Sequence, residues 1–140
     1  MKKVTVSLSP GFKYQQTISN GTHAAIADVD TASGGGGAAL DPKELALGAL
    51  GACVAMTIIM VAGRKNWDLQ RVNVTVTQTD EPDPNNAGKR RLVVTEELEV
   101  KGNLTQQELD EIQATAAKCP VHKLMSEPKR MTATVKHVTV

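Results

Sequence analysis

Polar and apolar residues alternate in "KVTVSLS", placing Val4, Val6 and Leu8 at a period of two, the signature of a strand with one covered face. "FKYQQTI" and "THAAIADV" flank Ser19-Asn20-Gly21, whose Asn-Gly pair is a hairpin-turn signal, so three N-terminal strands are expected. The glycine run of "TASGGGGAALDP" ends that periodicity in a loop. Asp41-Pro42-Lys43-Glu44 then opens a helix: Asp41 suits the N-cap, Pro42 the first helical position, and Glu44 the position from which a carboxylate reaches back to the cap. That helix should end near residues 63–65. Alternation returns over Val72, Val74 and Val76, and again over Leu92, Val94, Leu98 and Val100, with "DEPDPNNAGK" as the exposed connection of a hairpin. Thr105-Gln-Gln-Glu108 is a capping box ahead of a helix carrying Leu109, Ile112 and Ala116 on one face. A short helix from Pro120 and a last strand in "MTATVKHVTV" complete the order βββαββααβ, an α+β domain over residues 1–140 with helices against antiparallel or mixed sheets.

One stretch strains this picture. Leu45 to Ala62 is 18 residues without a charge, the length of a membrane-spanning candidate. Seven of the 18 are Gly or Ala, there is one such segment, and charges flank it at Lys43, Glu44, Arg64 and Lys65. A helix wholly buried in a compact or intertwined protein explains the same pattern, and no membrane partner is expected.

Composition removes other classes. Sixteen basic and 15 acidic side chains leave a net charge of +1, which gives no electrostatic footprint for nucleic acid. Phe12, Tyr14 and Trp67 are the whole aromatic set, too few for base stacking, so the core falls to Val, Ile, Leu, Ala and Met. The start, "MKKVTVSLSP", alternates and lacks the continuous apolar run of a signal peptide, so a cytoplasmic setting is expected. In a reducing cytosol two cysteines are more often catalytic, redox-active or inert than a structural staple.

The two cysteines lie in contrasting contexts. In "KCPVHKLM", Pro120 at the first helical position makes Cys119 the N-cap, where unpaired N–H groups and the helix dipole should lower the thiol pKa, helped by Lys118, His122 and Lys123. A small buried cap is the plainer reading of the same residue. Cys119-x-x-His122 resembles half of a metal site, but no second paired motif accompanies it. Cys53 lies about three turns into the long helix, beyond the strong part of its dipole, and on local grounds alone is a packed core residue. Gly48, Gly51, Ala52 and Ala55 form a small-residue surface beside it, where a helix of a second subunit could approach closely.

"DPKELALGALGACVAMTIIMVAGRKNWDLQRVNVTV" followed by "KCPVHKLM" closely resembles the osmotically inducible protein C and organic hydroperoxide resistance family, called OsmC-like, over essentially the whole chain. The resemblance implies an intertwined homodimer with its long helices buried together and two active sites at the subunit interface. It also implies a peroxidase without metal, haem or flavin. Cys53 would attack a small-molecule hydroperoxide and become a sulfenic acid, Cys119 would resolve it as a disulfide, and an external dithiol reductant would restore both thiols.

The chain departs from the best-known hydroperoxidase members. They stabilise the thiolate with an arginine in the N-terminal strand region held by a glutamate near the start of the cysteine helix, whereas this sequence has no arginine before Arg64. Lys13 and His23 are the bulky basic residues of the upstream hairpin, and Lys43 occupies the family's acid position. Glu44 is the catalytic candidate beside it, but nine residues at about 100° each put it on the opposite side of a straight helix from Cys53, so capping is its alternative role. Three classes follow: a thiol-dependent peroxidase first, then a thiol redox sensor or a non-catalytic small-molecule binder on the same fold.

Overall fold

The computed structural model describes residues 1–140 and has two antiparallel sheets and three helices. Strands β1 (Thr5–Leu8), β2 (Gln16–Ser19) and β3 (Ala24–Ala27) form one sheet in sequential order, with Val6 opposite Ile18 and Thr17 opposite Ile26. The expected turn is a four-residue loop, because Ser19 pairs with Ala24. Asn20 holds the loop, its Oδ1 accepting from the N–H groups of Thr22 and His23 at 2.9 and 2.7 Å. The glycine loop folds back on the chain at Gly35, where an added Cβ would stand 2.2 Å from the Val29 carbonyl oxygen.

Helix α1 (Pro42–Lys65) begins with the expected capping box: Asp41 accepts from the Glu44 N–H at 2.8 Å, and Glu44 accepts from the Asp41 N–H at 3.1 Å. It ends at Asn66, whose left-handed φ of 55° lets its N–H reach back to the Ala62 and Gly63 carbonyls. Strands β4 (Asp68–Pro82) and β5 (Arg90–Asn103) make the second sheet, a long hairpin whose register sets Val72 against Val100, Val74 against Leu98 and Val76 against Glu96. Helix α1 crosses this hairpin closely at Gly51, where a methyl group would come 3.1 Å from Val76 Cγ2. Helix α2 (Gln106–Ala116) starts with the Thr105–Glu108 capping box, and α3 (Pro120–Ser126) follows almost at once.

One core joins these parts. Leu50, Val54 and Ile58 recur at a spacing of four and so share a face of α1, where they meet Ile112 and Ala116 of α2 and Cys119 before α3. The valines of β4 and Leu98 and Val100 of β5 close it from the sheet side.

One expectation is corrected. No final strand forms: residues 127–140 belong to no helix or strand and 131–140 are exposed, because a strand exists only where its backbone pairs with a neighbour and this segment pairs with no edge of either sheet. A single protomer leaves most of α1 uncovered. It is long and apolar enough to cross a membrane, and 28% of its most apolar window is buried. Met56 and Met60 are 58% and 64% exposed, and Ile59, beside Leu69 and Val72 at the edge of β4, is 54% exposed.

Candidate functional site

The two cysteines come to one place. Cys119 is fully buried in the core at the junction of α2 and α3, and half-buried Cys53 on α1 packs against the same cluster. Local sequence explains the junction. After Ala117 the chain leaves the helical conformation, Cys119 takes extended angles (φ −67°, ψ 142°), and Pro120 restarts a helix without losing a hydrogen bond. Cys119 Sγ thereby caps α3, accepting from the His122 N–H at 3.1 Å.

The expected depression of the Cys119 pKa does not occur. Burial pushes this thiol above its ordinary value of 9.0; the His122 and Val121 N–H groups pull it down, while a hydrogen-bonding and charge interaction with Cys53 raises it further. A cap offers a thiolate two donors and a partial charge, but full removal from water costs the anion more. Cys119 is therefore held as a thiol beside Cys53.

The other candidates lie elsewhere. Glu44 is occupied by its capping box, and nine residues of helix separate it from Cys53 by roughly 13 Å along the axis. It lines a shallow groove with Leu47, Gly48 and Val74 away from the thiols. Lys13 sits over the Tyr14 ring at 5.0 Å, and His23 closes the β2–β3 hairpin. No cationic side chain within the protomer hydrogen-bonds the Cys53 thiol. Cys119-x-x-His122 gains no further metal-ligand types, because no three His, Cys, Asp or Glu side chains converge.

Sequence reasoning missed Glu96. Glu96, Leu98 and Val100 are alternating, partly buried positions of β5, and the last two pack on the core, so Glu96 holds the next place on the same face. The break in an otherwise apolar alternation was its signal. Glu96 Oε2 lies 3.7 Å from His122 Nδ1, and the two residues help line a cavity of about 240 Å³ with Leu50, Val94, Met125 and Ser126.

With this geometry in view, the comparisons with known proteins are decisive for the family. The family model described as OsmC-like protein matches residues 34–134, from the glycine loop past both cysteines. The chain belongs to the OsmC-like family. Its fold is also that of solved OsmC-like structures. The OsmC-like protein of Mycoplasma pneumoniae superposes with a TM-score of 0.70 at 19% identity, over 89% of this chain and 86% of that one. An organic hydroperoxide resistance protein OsmC from Legionella pneumophila gives 0.63 at 21%, over 91% of each chain. The organic hydroperoxide resistance protein OhrB of Bacillus subtilis gives 0.62 at 19%, over 90% of this chain and 92% of that one. No curated protein matches the sequence. The α+β architecture read from the alternating pattern is thus the OsmC-like fold, with both cysteines inside the matched region.

Proposed function

We propose that this OsmC-like protein is a cytoplasmic thiol-dependent peroxidase that reduces organic or inorganic hydroperoxides. The observation that carries the reading is the unequal pair of thiols: Cys53 half-buried on α1, and Cys119 fully buried and held protonated beside it. The accessible thiol is the one suited to meet a peroxide, and the protected one is suited to act second. Relatives named for organic hydroperoxide resistance support the same chemistry.

The Cys53 thiolate attacks the distal oxygen of the hydroperoxide and the O–O bond breaks. The leaving alkoxide takes a proton and departs as an alcohol, or as water when the substrate is hydrogen peroxide, leaving Cys53 as a sulfenic acid. Cys119 sulfur then attacks the Cys53 sulfur, its proton and the sulfenic hydroxyl leave as water, and a disulfide forms. A dithiol reductant supplies two electrons and two protons to restore both thiols and is itself oxidised to a disulfide. No cofactor takes part in this scheme. Glu44 enters it through α1, whose start its capping box fixes.

The working unit in this reading is a homodimer. The open face of α1, the uncovered N-terminal sheet and the unpaired C-terminal segment all belong against a second copy, which would also supply the cation that the Cys53 thiolate lacks within the protomer. That same lack favours one competing reading, a redox sensor whose thiols oxidise without turnover. Steady-state hydroperoxide consumption with a dithiol reductant tests the choice: turnover lost in Cys53→Ser supports the peroxidase, while a single stoichiometric oxidation supports the sensor. Mass spectrometry after brief peroxide exposure adds the order of events. It should find a Cys53–Cys119 disulfide in the native protein and a trapped Cys53 sulfenic acid in Cys119→Ser. Oxidation of Cys119 first would defeat the assignment of roles.

A further inference from the structure

Glu96 is the acidic residue that the scheme leaves unused. It stands opposite Val76 on the core-facing side of the β4–β5 hairpin, with Val94 and Leu98 two residues away on either side along its own strand. Its side chain is 15% exposed, and Oε1 is fully buried without a hydrogen-bond donor. Leucine or valine would continue the surrounding pattern and leave no unsatisfied oxygen, so an acid here weakens the sheet face unless it acts on something nearby. What it faces is His122. The imidazole Nδ1 is 3.7 Å from Oε2, within ion-pair range and longer than a hydrogen bond. The same residue's backbone N–H donates to Cys119 Sγ at 3.1 Å. His122 therefore joins the sheet to the thiol, its side chain on the carboxylate and its main chain on the sulfur.

Helix α3 depends on such a link. It has seven residues and none of them is fully buried; Val121 and the capping Cys119 are its attachments to the core. A helix this short has no stability of its own and stays where its side chains hold it. We propose that Glu96 and His122 form a positioning pair that clamps the first turn of α3 to the hairpin and so keeps the Cys119 thiol in its buried, capped setting. For its catalytic meaning the pair rests on the peroxidase reading, in which it would set the rate of the Cys119 step and leave the Cys53 step alone. Its physical action on Cys119 is independent of that reading.

The test uses the full-length protein carrying Cys53→Ser, so that Cys119 is its one thiol, and follows alkylation by iodoacetamide relative to free cysteine. Glu96→Gln keeps the shape and removes the charge, and His122→Gln removes the imidazole. Each should speed Cys119 alkylation by about 10-fold, and the double variant should be no faster than either single, because both break one contact. Urea unfolding of the same proteins separates local release from global loss: the unfolding midpoint should shift too little to account for the alkylation change. Alkylation unchanged in both singles, effects that multiply in the double variant, or an acceleration matched by global destabilisation would each overturn the pair. With both cysteines present, Glu96→Gln should leave peroxide-driven sulfenic acid formation at Cys53 unchanged and slow disulfide formation about 10-fold. Should native Cys53 form no sulfenic acid at all, the peroxidase reading falls while the alkylation result still decides the clamp.

Discussion

The two sheets of this protein are built by the same rule and end in different circumstances. In β4–β5 the alternating residues Val72, Val74, Val76, Leu98 and Val100 pack beneath α1 and join the core. In β1 the alternation is as regular, yet every residue of the strand is exposed, Val6 and Leu8 included. What differs is the covering helix: α1 lies across the hairpin and does not pack on the N-terminal sheet. Alternation says that a strand has a face to bury and is silent about which chain buries it. Apolar residues left outside on α1 and β1 are, in the proposed homodimer, the surfaces that a second copy would cover.

The severest way to break that comparison is to charge the open face of α1. Met60→Lys, at a site 64% exposed in the protomer, puts an ammonium where the proposed second copy packs, and burying an unpaired charge costs several kcal/mol. The native protein should sediment as a dimer at micromolar concentration and the variant as a monomer. A native monomer would remove the second copy as the covering element and leave the exposed apolar residues unexplained.

Next in size is a contrast between the sheets themselves. Ile58 is 1% exposed in the core under the hairpin, and Ile58→Ala should cost about 2–5 kcal/mol of unfolding free energy, read from urea denaturation. Ile26→Ala in β3, at a site 42% exposed, should cost less than half as much if the N-terminal sheet is uncovered in solution. Equal losses would show that the dimer covers both sheets to the same degree, which sharpens the comparison into a statement about the assembly.

Legibility in the sequence followed the same division. Elements fixed by local chemistry were readable: both capping boxes, the Pro120 restart and the β4–β5 pairing all occur where the pattern puts them. The last strand was not, because its pairing partner cannot be read from the alternation of residues 131–140 themselves. At the site, the cap geometry of Cys119 was legible while the direction of its pKa was not. The cap is local, but desolvation is set by Leu50, Val54, Ile112 and Ala116, which come from distant parts of the chain. Glu96 escaped because an acid inside an alternating strand resembles noise until the register shows which way it faces.

Burial of Cys119 has a pH signature. Its folded pKa lies above the ordinary 9.0, so above about pH 9 the unfolded chain gives up the thiol proton while the folded protein still holds it. The stability that the buried thiol contributes should be intact below pH 9 and fall as pH rises through the folded value. Cys119→Ser, with no thiol to ionise, should lack this component, so the two unfolding curves should converge in the alkaline range. Parallel curves from pH 7 to 11 would mean that Cys119 meets water in solution, and the contrast between a protected and an accessible thiol would lose its basis.

The smallest expected effect concerns Glu44. Its capping box has two reciprocal bonds: Glu44 N–H to Asp41 at 2.8 Å, and Asp41 N–H to Glu44 at 3.1 Å. Losing the reciprocal half in Glu44→Ala should cost about 1 kcal/mol, as cap losses commonly do. Because the box sits at the far end of α1 from the core contacts of Ile58, it should fray the first turn and leave the packing around Cys53 in place. Hydroperoxide turnover should then stay within about threefold of the native rate, a change of roughly 0.6 kcal/mol in the barrier. Asp41→Ala breaks the other half of the same box and should match Glu44→Ala in stability. If the two match in stability but Glu44→Ala alone abolishes turnover, the carboxylate acts in the reaction from the neighbouring protomer, and its role extends beyond the helix that it caps.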